Sequence, residues 1–462
     1  MSKSGRVSLS ETVIPGGYCI GCGACQVAAP QQMSVVMNDL GMLQASGDDR
    51  GTSASGVCPF SNDAENEDAL ASEQFAELPT HARIGRHRAT YAGHVVEDDY
   101  RDAGSSGGLG TWIVSELLRR KLVDGVVHVK ERKPTPEDSR LFAYGISRDI
   151  DAVRRGAKSR YYPVEFAGVL NDLREENGRF VVVALPCFAK ALRLLTRQDA
   201  ELRERVRFVV ALFCGHLKST GFAGSLAWEA GVPPWEIDRF DFRHKLPDAP
   251  ASAYGISVTS KSSSLPVVRP MKNMTARDWG LGLFKYKACE YCDDVVGETA
   301  DVSVGDAWIK PYVRNPEGTN ALIVRDETIA SMVDEAMEQG RLSLDPISAN
   351  QVAESQAAGL RHRREGLAFR LWLTDRAGVW RPRKRVEPAW RHLSRKYRRI
   401  FVSRMRLAEL SHQAFEQALK RRDLSVFHRT MRRPIAKYRA LYVPLWKRAL
   451  RPLRRAIRVI RQ

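Results

Sequence analysis

"GGYCIGCGACQVAAPQQM", residues 16–33, decides how this chain is read. Cys19, Cys22 and Cys25 each stand three positions apart, and where a fourth cysteine would precede a proline the chain has Ala29 before Pro30. Thiolates in a C-x2-C-x2-C run can grip an iron–sulfur cuboid, with Gly21, Gly23 and Ala24 keeping bulky side chains away from it. The fourth ligand of such a run usually stands before a proline and can come from a distance. "GVCPF", residues 56–60, supplies Cys58 followed by Pro59, so Cys58 takes the place that Ala29 has lost. A zinc site and an unused remnant are the competing readings, although zinc sites more often pair two separate C-x2-C knuckles.

Four cysteines remain: Cys187, Cys214, Cys289 and Cys292. The last two form the knuckle "CEYC". The first two each end an apolar run, "RFVVVALPC" and "RVRFVVALFC", that reads as a buried strand. The carboxyl ends of strands line the crevice of α/β folds, so position alone suggests a second four-thiolate site. Two buried core cysteines and a lone zinc knuckle are the alternative, against which stands the division of eight cysteines into two sets of four.

With 462 residues, 44% of them hydrophobic, the chain is long enough for two or three domains. No run of ~18 apolar residues occurs and "MSKSGRVSLSETVIPGG" has no apolar leader core, so a cytoplasmic, reducing setting is expected. Cysteines there serve as metal ligands or catalysts more often than as disulfides. Charge is uneven. Beyond residue 360 there are 31 Lys and Arg against 6 Asp and Glu, a net of +25 in a chain of +18, which leaves the rest at −7. Anionic partners should therefore meet the tail.

Composition divides the chain into a cysteine module at 1–61, an acidic linker or surface excursion at 62–86, a mixed region at 87–349 and a basic helical extension at 350–462. In "GGLGTWIVSELLRRKLVDGVVHV", residues 107–129, Leu109, Trp112, Ile113 and Leu117 recur at helical spacing behind a Gly-rich turn, and Val126, Val127 and Val129 look strand-like. The expected fold is an α/β (α+β) body with a small ferredoxin-like module in front and a basic α-helical tail behind. No G-x-G-x-x-G follows a strand, so no Rossmann dinucleotide site is expected.

The ordered set "CIGCGAC", "VCPF", "RDAGSSGGLGTWIVSELLRRKLVDGVV", "KSRYYP", "ALPCFAKALRLL", "LFCGH", "DRFDFRHK", "CEYCDDVVGETADVSVGDAW" and "GTNALIV" resembles the beta-subunit family of coenzyme F420 hydrogenases and dehydrogenases, whose relatives include 7-hydroxymethyl chlorophyll a reductase. The resemblance implies an FAD- and iron–sulfur-dependent oxidoreductase. It implies two 4Fe–4S clusters, one on Cys19, Cys22, Cys25 and Cys58 and one on Cys187, Cys214, Cys289 and Cys292. It implies a flavin site at Ser105, Ser106, Gly107 and Gly108, where a turn opening a helix suits a phosphate or a ring edge. Lys158 and Arg160 of "KSRYYP" would balance a pyrophosphate or a reduced flavin; a solvated basic loop is the plainer reading. Asp306 would cap a turn or orient the second cluster's surroundings. "CGH" at 214–216 inverts the family's commoner order and leaves His216 without an assigned role. No catalytic residue is assigned.

Three functions follow as expectations. The first passes electrons between a ferredoxin or similar donor, the clusters and FAD to reduce an organic substrate that the sequence does not identify. The second is an electron-relay subunit of a larger complex. The third is a zinc-stabilised nucleic-acid-binding protein, although nucleic acid is the weaker partner. In "PLWKRALRPLRRAIRVIRQ", residues 444–462, Trp446, Leu450, Leu453, Ile457 and Ile460 fall on one helical face and Arg448, Arg451, Arg455 and Arg458 on another. Such a helix suits the anionic inner face of a membrane, nucleic acid, an acidic partner such as ferredoxin, or the protein's own body.

Overall fold

The computed structural model describes residues 8–443, apart from positions 136 and 248. The cysteine stretch runs as a loop into the short helix α1 (Ala24–Ala28) and then a hairpin of β1 (Met33–Met37) and β2 (Leu43–Gly47). One loop glycine answers to this hairpin. Gly21 has φ +65°, and a Cβ on it would lie 2.3 Å from the Leu43 carbonyl oxygen, a conformation and a closeness that only glycine accepts.

Residues 62–86 are not a loose excursion. They carry α2 (Glu67–Gln74), capped by Asn66, which accepts from the Ala69 N–H at 3.0 Å. Glu67 is buried and paired with Lys190 and Arg385 at 3.3 and 3.5 Å. Acidic composition reads as solvated only while the distant cations that answer it are out of view.

The body is built from β3 (Ala89–Val95), α3 (Leu109–Arg119), β4 (Gly125–Glu131), β5 (Phe142–Ser147), α4 (Ala167–Glu175), β6 (Phe180–Ala184), α5 (Pro186–Gln198) and β7 (Val206–Leu212). Next come α6 (Thr220–Glu229) and a three-stranded lobe, β8 (Ile237–His244), β9 (Gly255–Ser260) and β10 (Ser263–Pro270). The main sheet is completed by β11 (Val302–Asp306), β12 (Asn320–Val324), then α7 (Glu327–Glu338) and β13 (Leu342–Pro346). Its eight strands lie in the order β13-β3-β12-β11-β7-β6-β4-β5. The central β4, β6, β7 and β11 are parallel and the flanking pairs antiparallel. "FVVVA" and "VRFVVAL" are apolar along nearly their whole length because these strands are covered on both faces. Trp112, Ile113 and Leu117 of α3, with Met332 and Val333 of α7, cover one face. Leu170 of α4, Phe188 and Leu192 of α5, and Val27 and Tyr18 of the N-terminal module share a core on the other.

The basic extension is part of the body. Helices α8 (Glu365–Arg376), α9 (Arg395–Arg421) and α10 (Leu424–Ala440) follow one another, the first two joined through residues 377–394. Leu407, Phe415, Phe427 and Met431 complete the core of the three-stranded lobe with Phe222, Phe242 and Phe284. The extended stretch at 380–386 straps three parts together. Tyr18 Oη donates to the Trp380 carbonyl at 3.1 Å, the Arg383 N–H to Asn62 Oδ1 at 2.6 Å, and Lys384 Nζ stands 4.4 Å over the Phe60 ring. Arg385 reaches Glu298 and Asp68 at 2.7 Å and Asp293 at 3.3 Å. The amphipathic stretch at 444–462 lies outside the described residues. Among those described, no helix is long and apolar enough to cross a membrane.

Candidate functional site

The structure brings Cys19, Cys22, Cys25 and Cys58 together. None is in a disulfide. Burial pushes all four thiols above the ordinary range, Cys58 to about 12, and Cys25 is raised further by the charges that Cys19, Cys22 and Cys58 would carry. Backbone N–H groups of Gly21 and Ala45 already point at Cys19 Sγ, at 3.3 and 3.2 Å. Ala29, the missing local ligand, is packed into the core instead. Cys58 arrives from the end of the helical turn at Ala54–Val57, whose extended C-cap it forms.

Cys187, Cys214, Cys289 and Cys292 also converge. Cys187 follows Pro186 at the start of α5, just past the carboxyl end of β6. Cys214 follows β7, its N–H donating to the Val295 carbonyl at 2.9 Å. Cys289 lies on the 3-10 turn Lys287–Tyr291 and Cys292 is that turn's C-cap. The Leu217 N–H donates to Cys289 Sγ at 3.2 Å. Cys187 is raised first by burial and then by Cys292, Cys214, Cys289 and, from the other quartet, Cys22. The two sets are neighbours. Arg363, from the extension, donates to the carbonyls of Cys214 and Gly215 and pulls down the thiols of Cys214, Cys289 and Cys292 against their burial. Among the described residues no group of three or more His, Cys, Asp or Glu is placed to hold a metal ion. The fit of each quartet to a four-iron cluster rests on four free thiols, their mutual charge coupling and N–H donors to sulfur.

Above the carboxyl ends of β6 and β7 lies a cavity of about 290 Å³. Its walls are the 105–108 turn with the first turn of α3, the segment at 158–162, and the segment at 214–218. Gly108, the N-cap of α3, has φ +85° and no side chain to offer; Asn320 Oδ1 accepts from the Leu109 N–H at 3.1 Å, and Gly110 and Thr111, whose N–H groups also lack an intrahelical partner, line the wall, a position where an anion is welcome. The Ser159 N–H donates to Ser105 Oγ at 2.9 Å, stapling two walls, and Ser106 Oγ donates to the Thr319 carbonyl at 3.2 Å. Gly107 is not in the wall. A Cβ there would lie 2.7 Å from the Gly93 carbonyl oxygen and 2.9 Å from the Asn320 nitrogen, so it is glycine to seat the turn on β3 and β12. Lys158 pairs with Asp241 at 3.1 Å. Arg160 pairs with Glu131 at 3.1 Å and lies over the Phe142 ring, yet its buried Nε and Nη1 have no partner. That is the more telling of the two cations, a buried donor with unused capacity beside the cavity.

A larger cavity, about 1050 Å³, adjoins the first. Cys214, His216, Arg243, Trp279 and Asp306 line both. Residues 90–171 match the N-terminal family of the coenzyme F420 hydrogenase/dehydrogenase beta subunit, and residues 177–350 match its C-terminal family, together more than half of the chain. The chain belongs to the coenzyme F420 hydrogenase/dehydrogenase beta-subunit family. An uncharacterized protein of Methanocaldococcus jannaschii is 24% identical over 52% of this chain and 61% of its own length. A component of the F420H2 dehydrogenase of Methanosarcina mazei is 24% identical over 53% and 63%. The beta component of the coenzyme F420 hydrogenase of Methanococcus voltae is 22% identical over 56% and 84%. The chain thus spans about three-fifths of the first two relatives' length. A polypeptide of the F420-reducing NiFe hydrogenase complex from Methanosarcina barkeri aligns with a TM-score of 0.48 at 14% identity, over 64% of this chain and 96% of that one.

The family-matched spans contain the second quartet and all three wall segments of the smaller cavity. Cys19 to Cys58, Arg363 and the strap lie outside them. Sequence reasoning passed over Arg243. It sits on β8, buried, with Nη1 donating to Asp306 at 3.0 Å and Nη2 to the Ser105 carbonyl at 3.2 Å, its guanidinium 4.6 Å over Tyr254. It fixes the 105–108 turn to the end of β11. Asp306 is therefore an ion-pair partner within the site. His216 stacks 4.7 Å from Trp279, and burial first, then Lys218 and Lys285, hold its imidazole neutral.

Proposed function

We propose that this family member is an FAD- and iron–sulfur-dependent oxidoreductase that moves electrons between a ferredoxin-like donor, two 4Fe–4S clusters and an organic substrate. The observation that carries the reading is Cys214, which belongs to the second quartet and lines both cavities. Behind it, Cys187 borders Cys22 of the first quartet. FAD, when bound, supplies the exchange between single electrons and pairs. The chain's own part is positional. First-turn N–H groups of α3 hold phosphate, Arg160 and Lys158 offset negative charge, and Trp279 with neutral His216 stands between the flavin cavity and the larger one. The larger cavity takes the organic substrate. The relatives' own names, which make them parts of a dehydrogenase and a hydrogenase, favour a second reading, a relay component docked on a larger enzyme.

Anaerobic purification with iron, acid-labile sulfide and flavin analysis tests the proposal. About eight irons per chain and one extractable flavin are expected, with Cys289→Ala halving the iron. Zinc without sulfide would overturn it. Reduction of an organic acceptor by the solitary chain separates the enzyme from the relay. Peripheral binding at the inner face of the membrane through 444–462 is a further part of the proposal. Co-sedimentation with anionic vesicles should fall with salt or when those residues are deleted.

A further inference from the structure

A third cavity, about 610 Å³, opens on the surface between α10 and the residues after β10. Its lining includes Lys272, Arg277, Arg432, Arg439 and His428, and not one carboxylate. Lys272, Arg277 and Arg439 also line the 1050 Å³ cavity, so the groove leads directly to it. Many arginines of this chain, such as Arg243, Arg341 and Arg385, are answered by an acid. Here the side chains of Lys272, Arg432 and Arg439 have no ion-pair or hydrogen-bond partner among the described residues, and Arg277 meets only the Lys272 carbonyl. His428 is held by Glu229 at 2.9 Å. Arg432 and Arg439 are seven residues apart on α10, hence on one face and about 10 Å apart along the axis. Met431 and Ile435, packed into the lobe core, line the groove and give it an apolar floor. Cations gathered without counter-charges repel one another, and an arrangement like this is stabilised by an anion that bridges them. Arginine forks match phosphate oxygens in pairs, and a span of ~10 Å exceeds what a single carboxylate covers.

We propose that this groove is a phosphate subsite. It takes the phosphate groups of an extended ligand whose remainder enters the 1050 Å³ cavity. The inference deepens the proposed function by naming the substrate class, a phosphate-bearing organic molecule, and rests on that reading for the cavity's role. α10 lies beyond the family-matched spans, while the opposite wall at 272–277 lies within them.

Inorganic pyrophosphate is the soluble probe and phosphatidylcholine vesicles carrying phosphatidic acid are the lipid probe, both titrated at low salt into the anaerobically purified full-length chain. Pyrophosphate should bind, and R432Q/R439Q should weaken it about tenfold, an exposed-site effect that added salt erodes. Both arginines are solvent-exposed, so the variant should keep the wild-type melting temperature. Lys272→Gln, on the opposite wall, should act in the same direction. Vesicle binding that R432Q/R439Q loses and pyrophosphate displaces would assign the phosphate to a lipid-borne ligand; binding of pyrophosphate alone would assign it to a soluble one. If neither probe binds, or R432Q/R439Q binds as tightly as wild type, the proposal is wrong. Binding is read without iron or flavin, so a chain lacking both would sink the redox reading while leaving this result intact.

Discussion

Arg363 is the residue whose charge bears most directly on the second quartet. It is buried, its guanidinium is spent on the carbonyls of Cys214 and Gly215, and three thiols lie within its field. A fixed positive charge beside a cluster favours the reduced form. With a cluster bound at the second quartet, as proposed, Arg363→Gln should lower its midpoint potential by on the order of 60 mV, a tenfold change for one electron, while Arg363→Lys keeps most of it; protein-film voltammetry reads the difference. His128 offers a pH test. Burial first, then Lys130 and Arg160, lowers it to about 4, whereas an unfolded histidine titrates near ~6.5. The unfolded chain takes up this proton first. Stability from neutral His128 is therefore complete above ~6.5 and drains between there and about 4, by up to about 1.4 kcal/mol per pH unit. His128→Gln should flatten the fall in urea midpoint from pH 7 to pH 5. At this scale the cysteines were legible because thiolate chemistry demands one residue type at fixed spacing. Arg243 and Arg363 were not, because nothing near them in sequence announces Asp306 or Cys214.

Among the elements, the strap at 380–386 holds the N-terminal module to the body. Arg385 touches Glu67, Asp293 and Glu298 at once, all three buried. Removing one cation of a buried ionic cluster leaves its carboxylates short of charge compensation. Arg385→Ala should therefore cost about 3–5 kcal/mol, and hydrogen exchange should quicken over residues 16–61 before it does in the central strands. The central strands and α3 could be read from sequence because continuous apolar runs and a 3.6-residue stripe are local signals. The strap could not. It is an irregular run of arginine and proline, and its meaning lies in acids contributed by α2 and by the segment after Cys292.

For the molecule as a whole, the charge imbalance acquires a different sense. Part of the +25 beyond residue 360 is consumed inside the protein, where Arg370 meets Glu290, and Lys384 and Arg385 meet Asp293. A chain ending at residue 350 would lose these cations and strip Leu407, Phe415, Phe427 and Met431 from the lobe core. It should be insoluble, whereas a chain ending at 443 should stay soluble and retain its iron; expression yield and metal content decide. The strap also gives the molecule an order of assembly. On the ribosome the module is complete at residue 61, and Arg385 follows about 320 residues later, roughly 15–65 s at ordinary rates of synthesis. During that interval Cys19, Cys22, Cys25 and Cys58 lie in a module the strap does not yet hold, which would leave their thiols open to a donor of the proposed cluster until residues 380–386 emerge and close the door behind it.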